Sequence, residues 1–456
     1  MAPVLTFAVR RRDPLLVGPA RPTPRETKRV SDLDDREVLR RQIPNVCFYR
    51  GRGGPRAGAD PVGVIRRALG EALVPYYPLA GRLREVEGRR LVVDCTGEGV
   101  LFVEADADVR LAELEAATGL GLRPPFPCMD QLLYDVEGSG GVVGCPLLLI
   151  QVTRMLCGGF ALAFRINHVM FDATGVTQFV SAVAELARGL PSPTVAPAWS
   201  RELLNARGPP PPREPLPPHR DDAAPTLPAA FSGMALQTFT FSPADVAALK
   251  NALPPRLRDK ATTFDVLTAA AWRARTAALE VPPGEEVGLA FMANVRGLPE
   301  LGLPAGYYGN ACVALRARAT AGALRGGSLG DAVAQVREAK AAMLTAEHVW
   351  AVAARRRRPP VVLTANDLFV SDIRGAGFHR VDLGWGEPVY GGTAAADLHF
   401  GASMLLPVRS IDGEEKGLAL TMVLPPLAMG RFASEVDTLL ASLVASAAVP
   451  ETRAKL

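Results

Sequence analysis

The stretch FALAFRINHVMFDATG, residues 160–175, decides the reading of this chain. Phe160, Leu162, Phe164 and Ile166 alternate with Ala161, Ala163, Arg165 and Asn167, the period of a strand with one buried face. His168 comes at the end of that strand, and Asp172 follows four residues later. Thr174 is a fitting N-cap for a helix with Phe179, Val180, Val183 and Leu186 on its apolar stripe. A strand end fixes an imidazole firmly, which suits a positioned general base. The residues alone leave a second reading open, a hydrogen-bonded core histidine. A metal site is disfavoured. Residues four apart share a face only on a helix, and no second His or Cys stands at ligand spacing near His168.

Length and composition set the bounds. A chain of 456 residues, 48% hydrophobic and 21% charged, can bury two large cores or one very large one. A net charge of +4 argues against nucleic acid as partner but allows a local basic site. Six cysteines are scattered without a CxxC pair, so they read as reduced thiols in a cytoplasmic protein. Residues 1–30 lack a long apolar run, and no run elsewhere reaches membrane-spanning length.

Strands are expected at Leu5 to Val9, Asn45 to Tyr49, Leu91 to Val93 and Val100 to Val103. Pro146 to Val152 and the histidine strand should pair antiparallel, turning at Gly158-Gly159. Asp60-Pro61 starts a helix, and Val109 to Ala117 is a short one. Residues 207–228, with four consecutive prolines, read as a crossover linker between domains at 1–206 and 229–456. Ser242, Thr262 and Ser328 each precede an acid by three residues, the mark of a capping box. The third should open one long helix running to about Ala353. Strands are expected at Leu236 to Phe241, Val287 to Ala293, Val361 to Ser371, Ala402 to Val408 and Leu418 to Val423, with a turn at Asp412-Gly413 and a terminal amphipathic helix. Alternating strands and helices with hairpins among them indicate an α/β chain with mixed sheets.

Asp382-Leu383-Gly384-Trp385-Gly386 is the second distinctive stretch. Its glycines allow tight turns and its indole can lock a loop, so a structural role is favoured over an acid/base role for Asp382. Arg355 to Arg358 reads as a solvated helix end, with anion binding as the alternative. GxGxxG after a strand, GxxxxGK[ST] and GxSxG are all missing, which removes the usual dinucleotide, triphosphate and serine-hydrolase readings. Cys157 lies near His168 in sequence but at the far end of the strand, a poor place for a thiol nucleophile.

Taken as a pair, HVMFD at 168–172 and DLGWG at 382–386 resemble the BAHD family of plant acyl-CoA-dependent acyltransferases, whose signatures are HxxxD and DFGWG. The likeness runs along nearly the whole chain. YPLAGR at 77–82, TFDVLTAAAWRARTAAL at 263–279, NVRG at 294–297 and YYGNA at 307–311 look like family blocks. The N-terminal region through QIPNVCFYR looks most like the alcohol acyltransferases typified by benzyl alcohol O-benzoyltransferase. Leu383 replaces the usual Phe, Ala173 stands where many members carry Gly, and Thr393 stands where the subgroup often has Pro.

The resemblance implies a monomer of two similar-sized, chloramphenicol-acetyltransferase-like domains with an active-site channel at their interface. The segment around 375–400 would pack back on the first domain. His168 would be general base, and Asp172 would pair with Arg296 to hold the loop rather than touch substrate. Asp382, Gly384, Trp385 and Gly386 would be structural. No cofactor is bound permanently; acyl-CoA is a co-substrate, and a small alcohol is the acceptor. Neither nucleic acid nor membrane is a partner. The same machinery would also serve an amine acceptor. Two other readings stay open at this stage. One is a condensation-type domain, although Asn167 stands where HHxxxDG has its first His. The other is a silent binding protein on the same fold.

Overall fold

In the computed structural model, residues 5–51, 53–119, 121–135, 141–208, 233–357, 364–394, 402–409 and 415–448 are described. The strand Phe160–Asn167 lies inside a seven-stranded mixed sheet. The order is Val9–Arg11, Val100–Ala107, Leu148–Met155, Phe160–Asn167, Gln42–Tyr49 and Tyr390–Thr393, with Leu15–Val17 also paired to Val100–Ala107. The hairpin turns at Gly158, whose φ of 80° an L side chain rarely adopts.

The alternation in 160–167 predicts one buried face, and the structure buries both. Phe160, Leu162, Phe164 and Ile166 join one core cluster, and Ala161 and Ala163 join another. The reason is position: a strand with neighbours on both sides is covered from above and below, and alanines keep the second layer close. That second layer includes Phe48, Tyr390, Leu406 and Ala419, so residues of both sheets share it.

The other half is built on a six-stranded mixed sheet, ordered Ala235–Phe241, Glu415–Leu424, Ala402–Arg409, Leu368–Asp372, Glu286–Asn294 and Cys312–Thr320. The helix Thr263–Ala278 packs on it with Trp272 fully buried. A three-stranded sheet, Thr27–Arg29, Arg90–Asp94 and Arg82–Val86, flanks the first half. One strand crosses over. Tyr390–Thr393, from the second half of the sequence, pairs antiparallel with Gln42–Tyr49 in the first sheet.

Helix starts follow the caps. Asp60, Ser242, Thr262 and Ser328 each accept backbone N–H bonds in the first turn of their helices. Elsewhere the structure corrects the pattern. The N-terminal strand begins at Val9, not Leu5. The long helix expected from Ser328 to Ala353 breaks after Met343, because Thr345 caps a new helix, Ala346–Ala354. Residues 361–363 of the strand expected at Val361 to Ser371 lie outside the described residues; of the rest, pairing begins only at Leu368, in Leu368–Asp372, because Thr364 donates its amide to Asp367 and turns the chain first. Residues 209–228 of the expected linker and the Asp412-Gly413 turn lie outside the described residues. Among the described residues, no helix is long and apolar enough to cross a membrane.

Burial on both faces of the histidine strand has a measurable consequence. Ala163→Leu should cost about 1–3 kcal/mol by overpacking the second layer. Urea unfolding checks this; a neutral substitution would mean that face is open.

Candidate active site

The strand Phe160–Asn167 delivers His168 to the place where the two halves meet. Its amide donates to the Arg41 carbonyl at 2.9 Å. Its ring is half-buried, and Nδ1–H donates to the Phe171 carbonyl at 2.7 Å. That bond selects the tautomer and leaves Nε2 as the acceptor nitrogen. Burial, and then the positive charge of Arg41, lower its proton affinity to about 4. The imidazole is therefore neutral at physiological pH.

Asp172 ends the turn and caps the next helix, Ala173–Ala187. Thr174, the cap expected from sequence, is already inside that helix. Both carboxylate oxygens are occupied. Oδ1 accepts from the Gly175 amide and from Arg296 Nη2, each at 2.9 Å. Oδ2 accepts from Arg296 Nη1 at 2.8 Å, from the Ala311 amide at 2.9 Å and from the Cys312 thiol at 3.4 Å. Burial raises its proton affinity, but Arg296 and the backbone donors outweigh that and keep it an anion. Since His168 Nδ1 is engaged by Phe171, the two side chains do not form a protease-like triad.

Three donors to Asp172 come from the second half: Arg296, Ala311 and Cys312. Arg296 is fixed in turn by the Gly309 carbonyl at 2.7 Å. The fit leaves no room at Gly175, where a Cβ would stand 2.0 Å from the Tyr308 carbonyl oxygen. A second clasp lies alongside. Asn310 Nδ2 donates to the His168 carbonyl and to Asp34 Oδ1, both at 2.8 Å, and its amide also donates to Asp34 at 2.8 Å. Asp34 is paired with Arg201 at 2.7 Å, and both side chains are within 1% of complete burial.

The DLGWG stretch is elsewhere. Asp382 Oδ1 accepts from the amides of Gly384 at 2.7 Å and Gly386 at 2.9 Å, which closes the turn. Gly384 and Gly386 have φ of 106° and 86°. Arg188 donates to the Asp382 carbonyl, and Leu383 is buried. Trp385 sets its ring edge-on to Phe160 at 5.2 Å. Phe160 begins the strand that His168 ends, and at about 3.3 Å per residue that strand spans on the order of 20 Å. The structure thus brings His168, Asp172 and Arg296 together and does not bring Asp382 to them.

Arg356 is also not a solvated helix end. It reaches Asp35 at 2.5 Å and the carbonyls of Gly88 and Arg89, strapping the halves together. Arg358 lies outside the described residues. Asp34, Arg201 and Asn310 carry no spacing signal. Asn310 falls in YYGNA, a block whose resemblance was visible and whose task was not. Among the described residues, no three His, Cys, Asp or Glu side chains form a group able to hold a metal.

The Transferase family model matches residues 7–439. Benzyl alcohol O-benzoyltransferase of Petunia hybrida is 47% identical over 445 residues, covering 96% of this chain and 94% of its own. Alcohol acyltransferase 16 of Actinidia chinensis var. chinensis is 44% identical over 438 residues, 95% of this chain and 94% of its own. Among solved structures, F. graminearum TRI101 complexed with coenzyme A and T-2 mycotoxin has a TM-score of 0.69 over 90% of this chain and 97% of that one. At 16% identity that likeness is one of fold.

Asp172→Ala should lower stability by about 3 kcal/mol, since it leaves Arg296 mostly buried without its partner. Arg296→Ala should then add little in the double variant. Chemical unfolding of both single variants and the double variant measures the coupling; additive losses would remove the clasp.

Proposed function

The chain belongs to the Transferase family, the BAHD acyltransferases, and we propose that His168 is the general base with which it moves an acyl group from acyl-CoA to an alcohol. The products are an ester and free coenzyme A, the reaction class of its alcohol-acylating relatives. One observation carries the role of His168: Nδ1–H is spent on Phe171, so Nε2 is the nitrogen that can take a proton.

The step balances without a covalent enzyme intermediate. As the hydroxyl oxygen attacks the thioester carbon, Nε2 takes its proton and the carbonyl oxygen becomes an oxyanion. The carbonyl then re-forms, the C–S bond breaks, and the imidazolium returns the proton to the leaving thiolate. A base of low proton affinity suits the return. The imidazolium is unstable once the oxyanion is gone, so it gives the proton up readily.

Asp172 and Arg296 act through the turn: they hold residues 168–175 against the second half and so fix the imidazole. Asp382, Gly384, Trp385 and Gly386 form a lock at the far end of the same strand. The two domains are taken as 1–206 and 229–456, with the crossover at 207–228 between them. A cytoplasmic monomer is the reading that the family resemblance and the scattered cysteines support. Benzoyl-CoA with benzyl alcohol is the first substrate pair to try, because a relative 47% identical bears that name. An amine acceptor is the second reading to test in the same assay.

The kcat/KM profile tests the base. His168 has its proton affinity lowered from 6.5 to about 4, so free enzyme stays active well below the ordinary imidazole range. The sign for stability follows. Below 6.5 the unfolded chain takes this proton first, so the contribution of neutral His168 is present above 6.5 and is lost as the pH falls towards 4. An acid limb at or above 6.5 would refute the assignment. His168→Ala should lower kcat by about 100-fold or more, measured with both substrates saturating.

A further inference from the structure

The turn from His168 to Phe171 is held by its carbonyls, each of which accepts from a side chain. The His168 carbonyl accepts from Asn310 Nδ2 at 2.8 Å, and the Val169 carbonyl from the same nitrogen at 3.4 Å. The Phe171 carbonyl accepts from His168 Nδ1, the bond that orients the ring. The Met170 carbonyl accepts from Arg201 Nη2 at 2.9 Å. Arg201 therefore grips the residue next to the one that aims the imidazole.

Arg201 is set in one place from several sides. It is 1% exposed, and its Nη1 stands 2.7 Å from Asp34 Oδ2. Asp34 Oδ1 accepts from Asn310, so one buried carboxylate holds both outside donors to the turn. The guanidinium lies over the rings of Trp199 at 4.5 Å and Tyr308 at 5.0 Å. A Cβ at Gly309 would stand 2.5 Å from Nη1. Ser200, just before it, has φ of 32° and ψ of 37°, a left-handed conformation that is costly for a residue with a side chain. That strain delivers Arg201 inward from the segment that leads to the crossover at 207–228. The segment is itself fastened, since the Ala198 amide donates to the Gly306 carbonyl at 2.9 Å and Trp199 Nε1 to the Arg29 carbonyl at 3.1 Å. An ion pair with Asp34 alone would be served by a lysine. Reaching an acid with one terminal nitrogen and a carbonyl with the other calls for a planar fork.

We propose that Arg201 is a positioning residue for His168: through the Met170 carbonyl it holds the turn so that Phe171 keeps Nδ1–H and Nε2 keeps its aim. This rests on the general-base reading given above. Asp172 and Arg296 fix the end of the turn, whereas Arg201 fixes its middle. A shift of about 1 Å in a catalytic group can cost about 100-fold in rate, so a grip on the backbone two residues from the histidine acts on kcat more than on KM.

Arg201→Lys and His168→Ala are compared with wild type, using benzoyl-CoA and the alcohol that wild type acylates fastest, at a temperature where thermal melting shows each variant folded. Tm should fall in Arg201→Lys whatever its role, so Tm sets the assay temperature and decides nothing else. Arg201→Lys keeps a charge beside Asp34 and loses the fork that also reaches Met170. Its kcat should fall by about 10- to 100-fold, with KM within about threefold. Released from Phe171 and partly wetted, His168 should regain proton affinity, and the acid limb of kcat/KM should move up from about 4 towards 6.5. A merely structural arginine would leave both the kcat of the folded enzyme and that limb in place. Three results would overturn the inference: a folded Arg201→Lys with kcat within about threefold of wild type; a raised KM at unchanged kcat; or a reduced kcat with the acid limb unmoved. If Arg201→Lys does not fold, the double variant Asp34→Asn with Arg201→Gln, in which neither ion is left alone, carries the same comparison. An active His168→Ala sinks the general-base reading itself, whereas an inactive His168→Ala beside a fully active Arg201→Lys removes only Arg201.

Discussion

The carboxylate of Asp172 is the contact on which the arrangement around His168 depends. It sits in the first half and is neutralised by Arg296 and two further donors of the second. A buried carboxylate that lost those donors would be left as an unpaired charge in a dry place. The halves are therefore held by more than apolar contact. Asp34 repeats the arrangement, with Asn310 as its donor and Arg201 as its counter-charge. The two anions bracket the turn, and His168 is fixed at its backbone by Asn310 and at its ring by Phe171. Gly175 lets the loops come this close, since any side chain there would meet the Tyr308 carbonyl.

Much of this was legible in the sequence, for local reasons. Helix starts depend on residues three apart, so Asp60, Ser242, Thr262 and Ser328 announced themselves. A period of two gave away the histidine strand. What failed was also local, but weaker. Thr345 interrupts an unbroken apolar stripe with a cap that looks like any surface threonine. Thr364 and Asp367 make a turn inside a run that reads as strand. The residues of long reach left no mark. Arg356, Asn310 and Asp34 matter through partners far along the chain, and neither spacing nor composition encodes such a partner. Arg296 was found because a family block pointed to it.

The electrostatic character of the site comes from this asymmetry. Burial and the charge of Arg41 hold down the proton affinity of the His168 ring, and the Phe171 carbonyl and Asp172 offset only part of that. A neutral imidazole so placed is a reluctant proton acceptor until an anion forms beside it. Proton uptake and charge development are thus tied together, and premature protonation by solvent is discouraged at ordinary pH.

The strand Tyr390–Thr393 bears on how such chains can be recombined. It leaves the second half, completes the first sheet beside Gln42–Tyr49, and puts Tyr390 against Phe48 and Phe126. A chimera spliced within the proline-rich stretch at 209–228 would join a first half from one parent to an edge strand from another. The foreign strand would have to match the register of Asn45 to Phe48 and fill the aromatic layer beneath. Workable exchanges between relatives therefore keep residues 378–394 with the N-terminal parent, which calls for two cuts in the gene rather than one.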